Sequence, residues 1–176
     1  MEICKTTLAE VWLIKPDVNA DFRGDYVMTY SKDLYHRQME LPHINFLEHD
    51  ISTTLQRGVL RGIHYSPNCW KLNECLHGKI YYVCVNCDKE SIGYGQWEAF
   101  ILSGENHHQI FKHPRYGTGF VTLTDDVVFH YIQSQYFDAK DPDQQTIKWD
   151  SMNIWWPTKT PILSVRDEGG HYETKG

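Results

Sequence analysis

The chain has 176 residues, enough for a domain with a sizeable core, and we expect a single domain over residues 1–176. Its formal net charge of -6 excludes the basic footprint that non-specific nucleic-acid binding needs, and no apolar run has the length of a signal peptide or membrane span. Five unevenly spaced cysteines are typical of reduced thiols. We therefore expect a cytoplasmic protein with no nucleic-acid or membrane partner.

Short segments rich in β-branched and aromatic residues recur between turn signals along the chain. A single helix is predicted at 32–39, with Ser31 as its cap and Pro42 as its stop. Residues 21–24 predict a turn, and the chain from Asp138 onward is irregular. The pattern predicts an all-β fold, an antiparallel β-sandwich of the jelly-roll or cupin kind. Strands are predicted at 11–14, 26–30, 44–47, 58–65, 72–76, 79–85, 96–102, 108–112, 119–123 and 127–134.

The stretch at 57–72, RGVLRGIHYSPNCWKL, combines positive charges with one histidine. Arg57, Arg61 and Lys71 are suited to a diphosphate, which arginine binds bidentately and lysine binds as a point charge. His64 lies between them and is a natural proton acceptor near neutral pH. The stretch therefore predicts a site for a phosphorylated substrate. The alternative is a half-buried strand edged with surface arginines and a structural histidine.

Strand geometry extends this prediction. In a regular strand, Leu60, Gly62 and His64 would share one side of the sheet. Gly62 would then leave room for a ligand to approach the backbone beside the candidate base.

Other chemistries fit the histidines and cysteines less well. His64 has no second histidine two residues away, and the adjacent His107 and His108 would point to opposite faces of a strand, so we expect no metal site. The CVNC motif at 84–87 ends a strongly β-type segment, so its thiols are predicted to face opposite sides and to be structural. Neither a G-x-G-x-x-G nor a Walker loop is present, and we expect no cofactor.

Tyr131 lies in the middle of the last long predicted strand, and Tyr136 follows it closely. A buried tyrosine in a β-core is commonly a packing residue whose hydroxyl is satisfied. Its phenol can also donate a proton when a base lies across a pocket.

The motifs and their spacing, taken together, resemble the dTDP-4-dehydrorhamnose 3,5-epimerase family over nearly the whole chain. The most diagnostic is VLRGIHY at 59–65, followed at the expected distance by KL at 71–72. The other matching motifs are DFRG at 21–24, KES at 89–91, YGQW at 94–97, LSGEN at 102–106, GFVTL at 119–123, F-x-Y at 129–131, WD at 149–150, WP at 156–157 and L-S-x-x-D at 163–167.

The resemblance implies a cupin barrel that uses no metal, and a homodimer that exchanges amino-terminal strands. The implied substrate is a nucleotide-diphosphate 4-keto-6-deoxy sugar, inverted at C3, at C5 or at both. The implied catalytic roles are His64 as general base, Asp167 as its orienting carboxylate, Tyr131 as acid and Lys71 near the ketone oxygen. Implied substrate-binding residues are Arg23 and Arg61 at the diphosphate, with His49, Thr118, Tyr136 and Arg57 as further candidates.

These roles form a consistent reaction. A 4-keto group acidifies the hydrogens on the neighbouring carbons, so His64 can remove one and leave an enolate. Lys71 offers a positive charge where the oxyanion develops. Tyr131 returns a proton from the other face, and Asp167 holds the imidazole tautomer.

Four positions depart from the usual family pattern. Thr118 stands where a pocket histidine is usual, which bears on the carbon epimerised or the substituents accepted. Met28 stands at a glutamate position, Asn86 at an aspartate position, and HDI at 49–51 replaces a Gln-Asp-Asn run. The replacements at Met28 and at residues 49–51 leave open which nucleotide the substrate carries.

One branch of the family acts on GDP-linked 4-keto-6-deoxy-heptoses in capsule biosynthesis. EHD at 48–50, GT at 117–118 and the tail from PILS at 161–164 to 175–176 resemble that branch. GDP-heptose and dTDP-hexose substrates both stay open, since small pocket changes redirect specificity. A single-centre epimerase or ketoisomerase, and a non-catalytic cupin that binds nucleotide sugars, are the further alternatives.

Overall fold

The computed structural model describes residues 1–41 and 43–169, which form antiparallel strands and one short helix. No helix in this described part is long and apolar enough to cross a membrane. The elements are β1 (Glu2–Lys5), β2 (Val11–Lys15), β3 (Val18–Asp21), β4 (Gly24–Val27), α1 (Lys32–Met39), β5 (Glu48–Thr54), β6 (Leu60–Tyr65), β7 (Lys71–His77), β8 (Lys79–Asn86), β9 (Trp97–Ser103), β10 (Gln109–Lys112), β11 (Tyr116–Thr122), β12 (Val127–Gln133) and β13 (Gln145–Thr146).

Two large sheets form the body of the fold. The first has the order β1-β2-β10-β7-β12-β5, the second has the order β13-β6-β11-β8-β9, and β3 and β4 form a separate hairpin. The main core lies between the sheets, because one buried cluster joins Ile110 and Phe129 of the first sheet to Tyr82 and Phe120 of the second. This arrangement confirms the predicted antiparallel sandwich of the cupin, jelly-roll kind.

The outer faces of the two sheets are covered by different parts of the chain. Helix α1 packs Tyr35 and Met39 over the first sheet. The carboxy-terminal segment packs Met152 and Trp156 over the second. Because both faces of the central strands are covered, these strands are rich in apolar residues on both sides, and this apolar signal allowed most of them to be predicted from the sequence.

Most predicted elements are confirmed within a few residues, and the helix has the predicted bounds. Ser31 occupies the position before the helix, but its side chain makes no capping hydrogen bond. The helix ends at a left-handed Glu40, whose backbone N–H donates to the His36 carbonyl; the predicted stop, Pro42, lies outside the described residues.

The predicted strand at 44–47 is wrong. Ile44 is buried as part of a loop, where it packs in the cluster beneath α1, and the strand begins at Glu48. The sequence of β5, EHDISTT, is largely polar, because one face borders a cavity and the other borders solvent. Strands β1, β3 and β13 were not predicted either, because their short sequences also lack a clear apolar pattern.

Strand β6 does not alternate regularly. Arg61 is opposite Phe120 of β11, and His64 is opposite Thr118, so three steps along β6 match two along β11. Such an extra residue is a β-bulge, and it turns Arg61 and His64 to the same side of the sheet. The prediction that Leu60 shares a side with His64 is wrong, since Leu60 packs in the cluster under the carboxy-terminal segment.

Gly62 lies at the centre of this bulge with a φ of 118°. A Cβ atom there would be 2.7 Å from Gly119 Cα and 2.7 Å from the Thr118 carbonyl oxygen. The predicted approach of a ligand at Gly62 is wrong, because the backbone of β11 occupies that space.

Gly62→Ala should therefore destabilise the fold strongly. Gly58 is the matched control, since its φ is 85° but nothing lies within 4 Å of the place that a Cβ atom would occupy. We expect Gly58→Ala to cost about 1–2 kcal/mol for the positive φ alone. We expect Gly62→Ala to cost about 2 kcal/mol more, because it also meets backbone atoms. Urea denaturation measures both; equal losses would show that the Gly62 contact is not a constraint.

Candidate active site

A cavity of about 310 Å³ lies between the two sheets. That volume is at the lower end of the range of about 300–1,000 Å³ usual for small-molecule sites. Side chains from β5, β7 and β12 form one wall, and side chains from β6 and β11 form the other. His64, Lys71 and Tyr131 all line it, so the fold brings together residues that are far apart in the sequence.

The candidate base is held by a carboxylate. His64 Nε2 lies 2.8 Å from Asp167 Oδ1, which joins β6 to the carboxy-terminal segment. The Asp167 side chain is 5% exposed and the His64 side chain is 39% exposed, so the carboxylate is shielded while the imidazole reaches the cavity. Burial acts to raise the pKa of Asp167, but hydrogen bonds from His64, Ser164 and the Gly62 backbone lower it below its usual value. Asp167 is therefore ionised at neutral pH and fixes the imidazole.

Tyr131 projects from β12 on the other wall of the cavity. Burial raises its pKa, and the neighbouring Asp50 raises it further, so the phenol keeps its proton at neutral pH. The Lys71 Nζ atom lies 4.5 Å from the centroid of the Tyr131 ring, within the range of a cation–π interaction. Burial lowers the pKa of Lys71, while the carboxylates of Asp50 and Glu48 act in the opposite direction.

Asp50 and Glu48 are site residues that the sequence analysis did not single out. Exposure alternates along β5, so both face the cavity while His49 between them faces outward. Burial and the Glu48 charge raise the pKa of Asp50. Glu48 accepts a hydrogen bond from Gln133 Nε2 at 2.9 Å, whereas Asp50 Oδ2 has no hydrogen-bond partner among the described residues. The period-two alternation of β5 was the available signal, and the misplaced strand at 44–47 concealed it.

Three of the candidate substrate-binding residues also line the cavity: Arg61, Thr118 and Tyr136. The Arg61 guanidinium donates from Nε to Thr54 Oγ1 at 3.0 Å and from Nη2 to the Thr53 carbonyl at 3.2 Å, which fixes its position across from β5. Tyr136 is largely exposed and lies on the loop after β12. Together these side chains give the cavity a cationic, hydrogen-bonding wall.

The other three candidates lie away from the cavity of this chain. His49 is exposed, and its ring centroid is 6.0 Å from that of His130 on the outer face of the sheet. Arg57 is exposed in the turn before β6. Arg23 lies at the tip of the β3–β4 hairpin, where it pairs with Asp21.

The remaining histidine and cysteine motifs do not form a reactive centre. His107 lies in a turn and contacts Asp25, with Nε2 3.3 Å from Oδ2. Cys84 packs between the sheets and Cys87 on the outer side of the second sheet, which confirms that the CVNC thiols face opposite sides. Burial raises their pKa values to about 12 and about 11. Over residues 1–41 and 43–169, no three His, Cys, Asp or Glu side chains converge in a group that could hold a metal ion.

The sequence profile of the dTDP-4-dehydrorhamnose 3,5-epimerase family matches residues 5–172. The chain is 31% identical over 179 residues to the dTDP-4-dehydrorhamnose 3,5-epimerase of Shigella flexneri, an alignment that covers 97% of this chain and 94% of the relative. It is 30% identical over 161 residues to the dTDP-4-dehydrorhamnose 3-epimerase of Streptomyces niveus, with 90% of this chain and 77% of the relative covered.

A solved structure is similar as well. The dTDP-6-deoxy-D-glucose-3,5-epimerase of Legionella pneumophila, crystallised in complex with dTDP-4-keto-L-rhamnose, superposes with a TM-score of 0.89. The sequence identity is 28%, and the alignment covers 96% of this chain and 90% of the other.

Asp167→Asn should reduce stability in a pH-dependent way. Because the pKa of Asp167 is lowered in the folded state, its contribution is complete above the unfolded value near 4 and is lost as pH falls through the folded value. We expect the variant to be about 1.5–3 kcal/mol less stable at pH 6, as for a hydrogen bond to a charged group.

Urea denaturation from pH 6 to pH 2.5 measures this difference. Asp150→Asn is the control, since Asp150 pairs with Lys148 at an exposed site and should cost under about 1 kcal/mol. If the stability difference between wild type and Asp167→Asn does not become smaller at low pH, the proposed pH dependence is contradicted.

Proposed function

Because this chain belongs to the dTDP-4-dehydrorhamnose 3,5-epimerase family, we propose that it inverts C3, C5 or both in a nucleotide-linked 4-keto-6-deoxy sugar. The proposed route is removal and return of a proton through an enolate, without a cofactor. The observation that carries it is the pair of proton-transfer groups on opposite walls of one cavity. His64 with Asp167 faces it from β6, and the protonated Tyr131 faces it from β12.

The first step is proton abstraction. Neutral His64 takes the proton from the carbon next to the ketone; the C–H electron pair forms a C=C bond, and the ketone oxygen becomes an enolate oxygen. Since Nε2 is bonded to Asp167, Nδ1 is the nitrogen that accepts the proton. Asp167 stabilises the imidazolium that results. Lys71 supplies positive charge for the enolate oxygen in a shielded site, where it is most effective.

The second step is return of a proton to the opposite face. The Tyr131 hydroxyl protonates the carbon, the C=O bond re-forms, and the centre is inverted. Lys71 over the Tyr131 ring stabilises the phenolate that is left until solvent returns a proton to it, and the His64 imidazolium releases its proton to solvent. The substrate is neither oxidised nor reduced overall, so the cycle requires no redox cofactor.

The nucleotide is proposed to be dTDP or GDP, and different observations support each. The relatives are named for dTDP sugars, which supports dTDP. The resemblance of 48–50, 117–118 and 161–164 to the capsule heptose branch supports GDP; residues 175–176 of that resemblance lie outside the described residues. His49 faces away from its own cavity, so it does not decide between them.

A single-centre epimerase is the second candidate. The Streptomyces niveus relative is named as a 3-epimerase. Thr118 is the cross-strand neighbour of His64 and lines the same wall of the cavity, so a change of side chain at this position alters the space around the sugar. A cupin that only binds nucleotide sugars is less well supported, because binding alone has no need for a carboxylate-held histidine facing a protonated tyrosine.

We further propose a homodimer in which amino-terminal strands are exchanged. All four residues of β3 are exposed, and the hairpin presents Phe22 and Tyr26 at 97% and 70% exposure, as expected of a surface that docks on a partner. In such a dimer, Arg23 would reach the diphosphate in the cavity of the second copy.

Heavy water tests the reaction. We expect the wild-type protein to incorporate one deuterium for each inverted centre when it is incubated with dTDP- and GDP-linked 4-keto-6-deoxy sugars, as read by mass spectrometry. His64→Asn should reduce the rate at least about 10³-fold, because the base is lost. It should leave the affinity for the nucleotide diphosphate within about threefold, because binding uses other groups.

His43→Asn is the control, since His43 packs beside Trp70 and is not part of the cavity lining. No incorporation by the wild type from any of these substrates, despite tight binding, would favour the binding cupin. Unchanged exchange in His64→Asn would remove His64 from the mechanism.

Complementation tests the dimer. Light scattering should give twice the chain mass, and Arg23→Ala and His64→Asn should each be nearly inactive alone. When the two chains are co-refolded, half of the dimers are mixed, and each mixed dimer regains one intact site if Arg23 acts in the partner's cavity. Activity should then recover to about a quarter of wild type. No recovery would mean that Arg23 acts within its own chain, and full activity of Arg23→Ala alone would mean that Arg23 does not act at all.

A further inference from the structure

A row of cross-strand neighbours lines the first-sheet wall of the cavity. Lys112 of β10 is opposite Lys71 of β7, Lys71 is opposite Gln133 of β12, and Gln133 is opposite Glu48 of β5. All four residues line the cavity. Directly opposed residues have Cβ atoms only about 4.5–5.5 Å apart, so two lysines lie side by side at one end of the row.

Lys112 is held rigidly and is almost fully buried. It is 1% exposed, and its Nζ donates to the Cys69 carbonyl at 3.0 Å and to the Tyr116 carbonyl at 2.9 Å. The Lys112 ammonium has a third N–H donor. Among the described residues, no carboxylate forms an ion pair with Lys112. A buried charge of this kind is costly, and an apolar side chain would fill the position without that cost.

The second lysine of the pair, Lys71, extends towards β12 and away from β10. Lys71 Nζ is positioned over the Tyr131 ring, and the carboxylates of Asp50 and Glu48 attract it from β5. The anchored charge of Lys112 repels Lys71 from the β10 side, so the two effects act in the same direction. Lys112 cannot move away to relieve the repulsion, since both of its bonds are to backbone atoms of neighbouring segments.

We propose that Lys112 is a positioning residue for the epimerisation: its anchored charge holds the Lys71 ammonium over Tyr131 and adds positive potential where the enolate oxygen develops. This inference rests on the proposed function of the same cavity. Lys112 takes no part in the two proton-transfer steps themselves.

The charge on Lys112 depends on pH. Burial and the positive charge of Lys71 lower its pKa to about 8. Lys112 is therefore charged below about pH 8, and the positioning effect should be lost as the pH rises through that value. The titratable groups that interact electrostatically with Lys112 are Lys71 from β7, Cys69 before β7, Cys84 from β8, Cys87 after it, and the adjacent His113.

Lys112 could instead serve only as a structural link between the Cys69 loop and β11. Lys112→Gln separates the two roles, because the amide can still donate hydrogen bonds to the carbonyls but carries no charge. Lys112→Arg keeps the charge and is the conservative variant. Lys79→Gln is the matched control, since Lys79 is a partly exposed lysine that pairs with Glu105 away from the cavity.

The experiment measures deuterium incorporation into the 4-keto nucleotide sugar that the wild type accepts, from pH 6 to pH 10. We expect kcat of Lys112→Gln to fall about 10–100-fold at pH 7 with KM within about threefold, because charge acts in the transition state. The decline of wild-type kcat near pH 8 should be weaker in Lys112→Gln, where Lys71 still titrates but Lys112 no longer does. Lys112→Arg should retain most of kcat, and Lys79→Gln should match wild type.

Three results would overturn the inference. Wild-type kcat in Lys112→Gln would show that the charge is not used, while the proposed function would stand. Equal losses in Lys112→Gln and Lys112→Arg, with lowered melting temperatures, would show a structural link only. No incorporation by the wild type would remove the proposed function and the inference with it.

Discussion

The close contact between β6 and β11 at Gly62 is the constraint on which the site depends. A backbone without a side chain at Gly62 lets β11 approach, and the extra residue of the bulge turns both Arg61 and His64 towards the cavity. With regular alternation, residues three apart would face opposite sides and the two would be separated. His64 then meets Asp167, which the carboxy-terminal segment brings across the second sheet.

The opposite wall of the cavity is organised by charge. Tyr131 is protonated because it is buried beside Asp50, and Lys71 is drawn over its ring by the carboxylates of β5. Lys112 adds a second, fixed positive charge beside Lys71. The result is a histidine held by a carboxylate on one sheet and a protonated tyrosine next to cations on the other. This separation across a narrow sandwich suits the transfer of a proton from one face of a carbon to the other.

Much of the fold could be predicted because burial on both sheet faces leaves an apolar signal, as in the KIYYVCVN of Lys79–Asn86. Strand β5 escaped prediction because its inward residues, such as Asp50, serve the cavity and are polar. His64, Lys71 and Tyr131 were predicted as site residues, and the structure brings them to one cavity. Lys112 could not be predicted, since a lysine at the end of a short strand usually marks solvent; only its long-range neighbours reveal that it is buried.

The central claim is that His64 and Tyr131 act on opposite faces of the same carbon. Tyr131→Phe tests this most directly, by following deuterium incorporation and product stereochemistry together in heavy water. The two-face arrangement predicts that His64 still removes and returns a proton on its own side, so deuterium enters the substrate while inversion falls at least about 10²-fold. Inversion at the wild-type rate in Tyr131→Phe would contradict the arrangement and would mean that another group donates the proton.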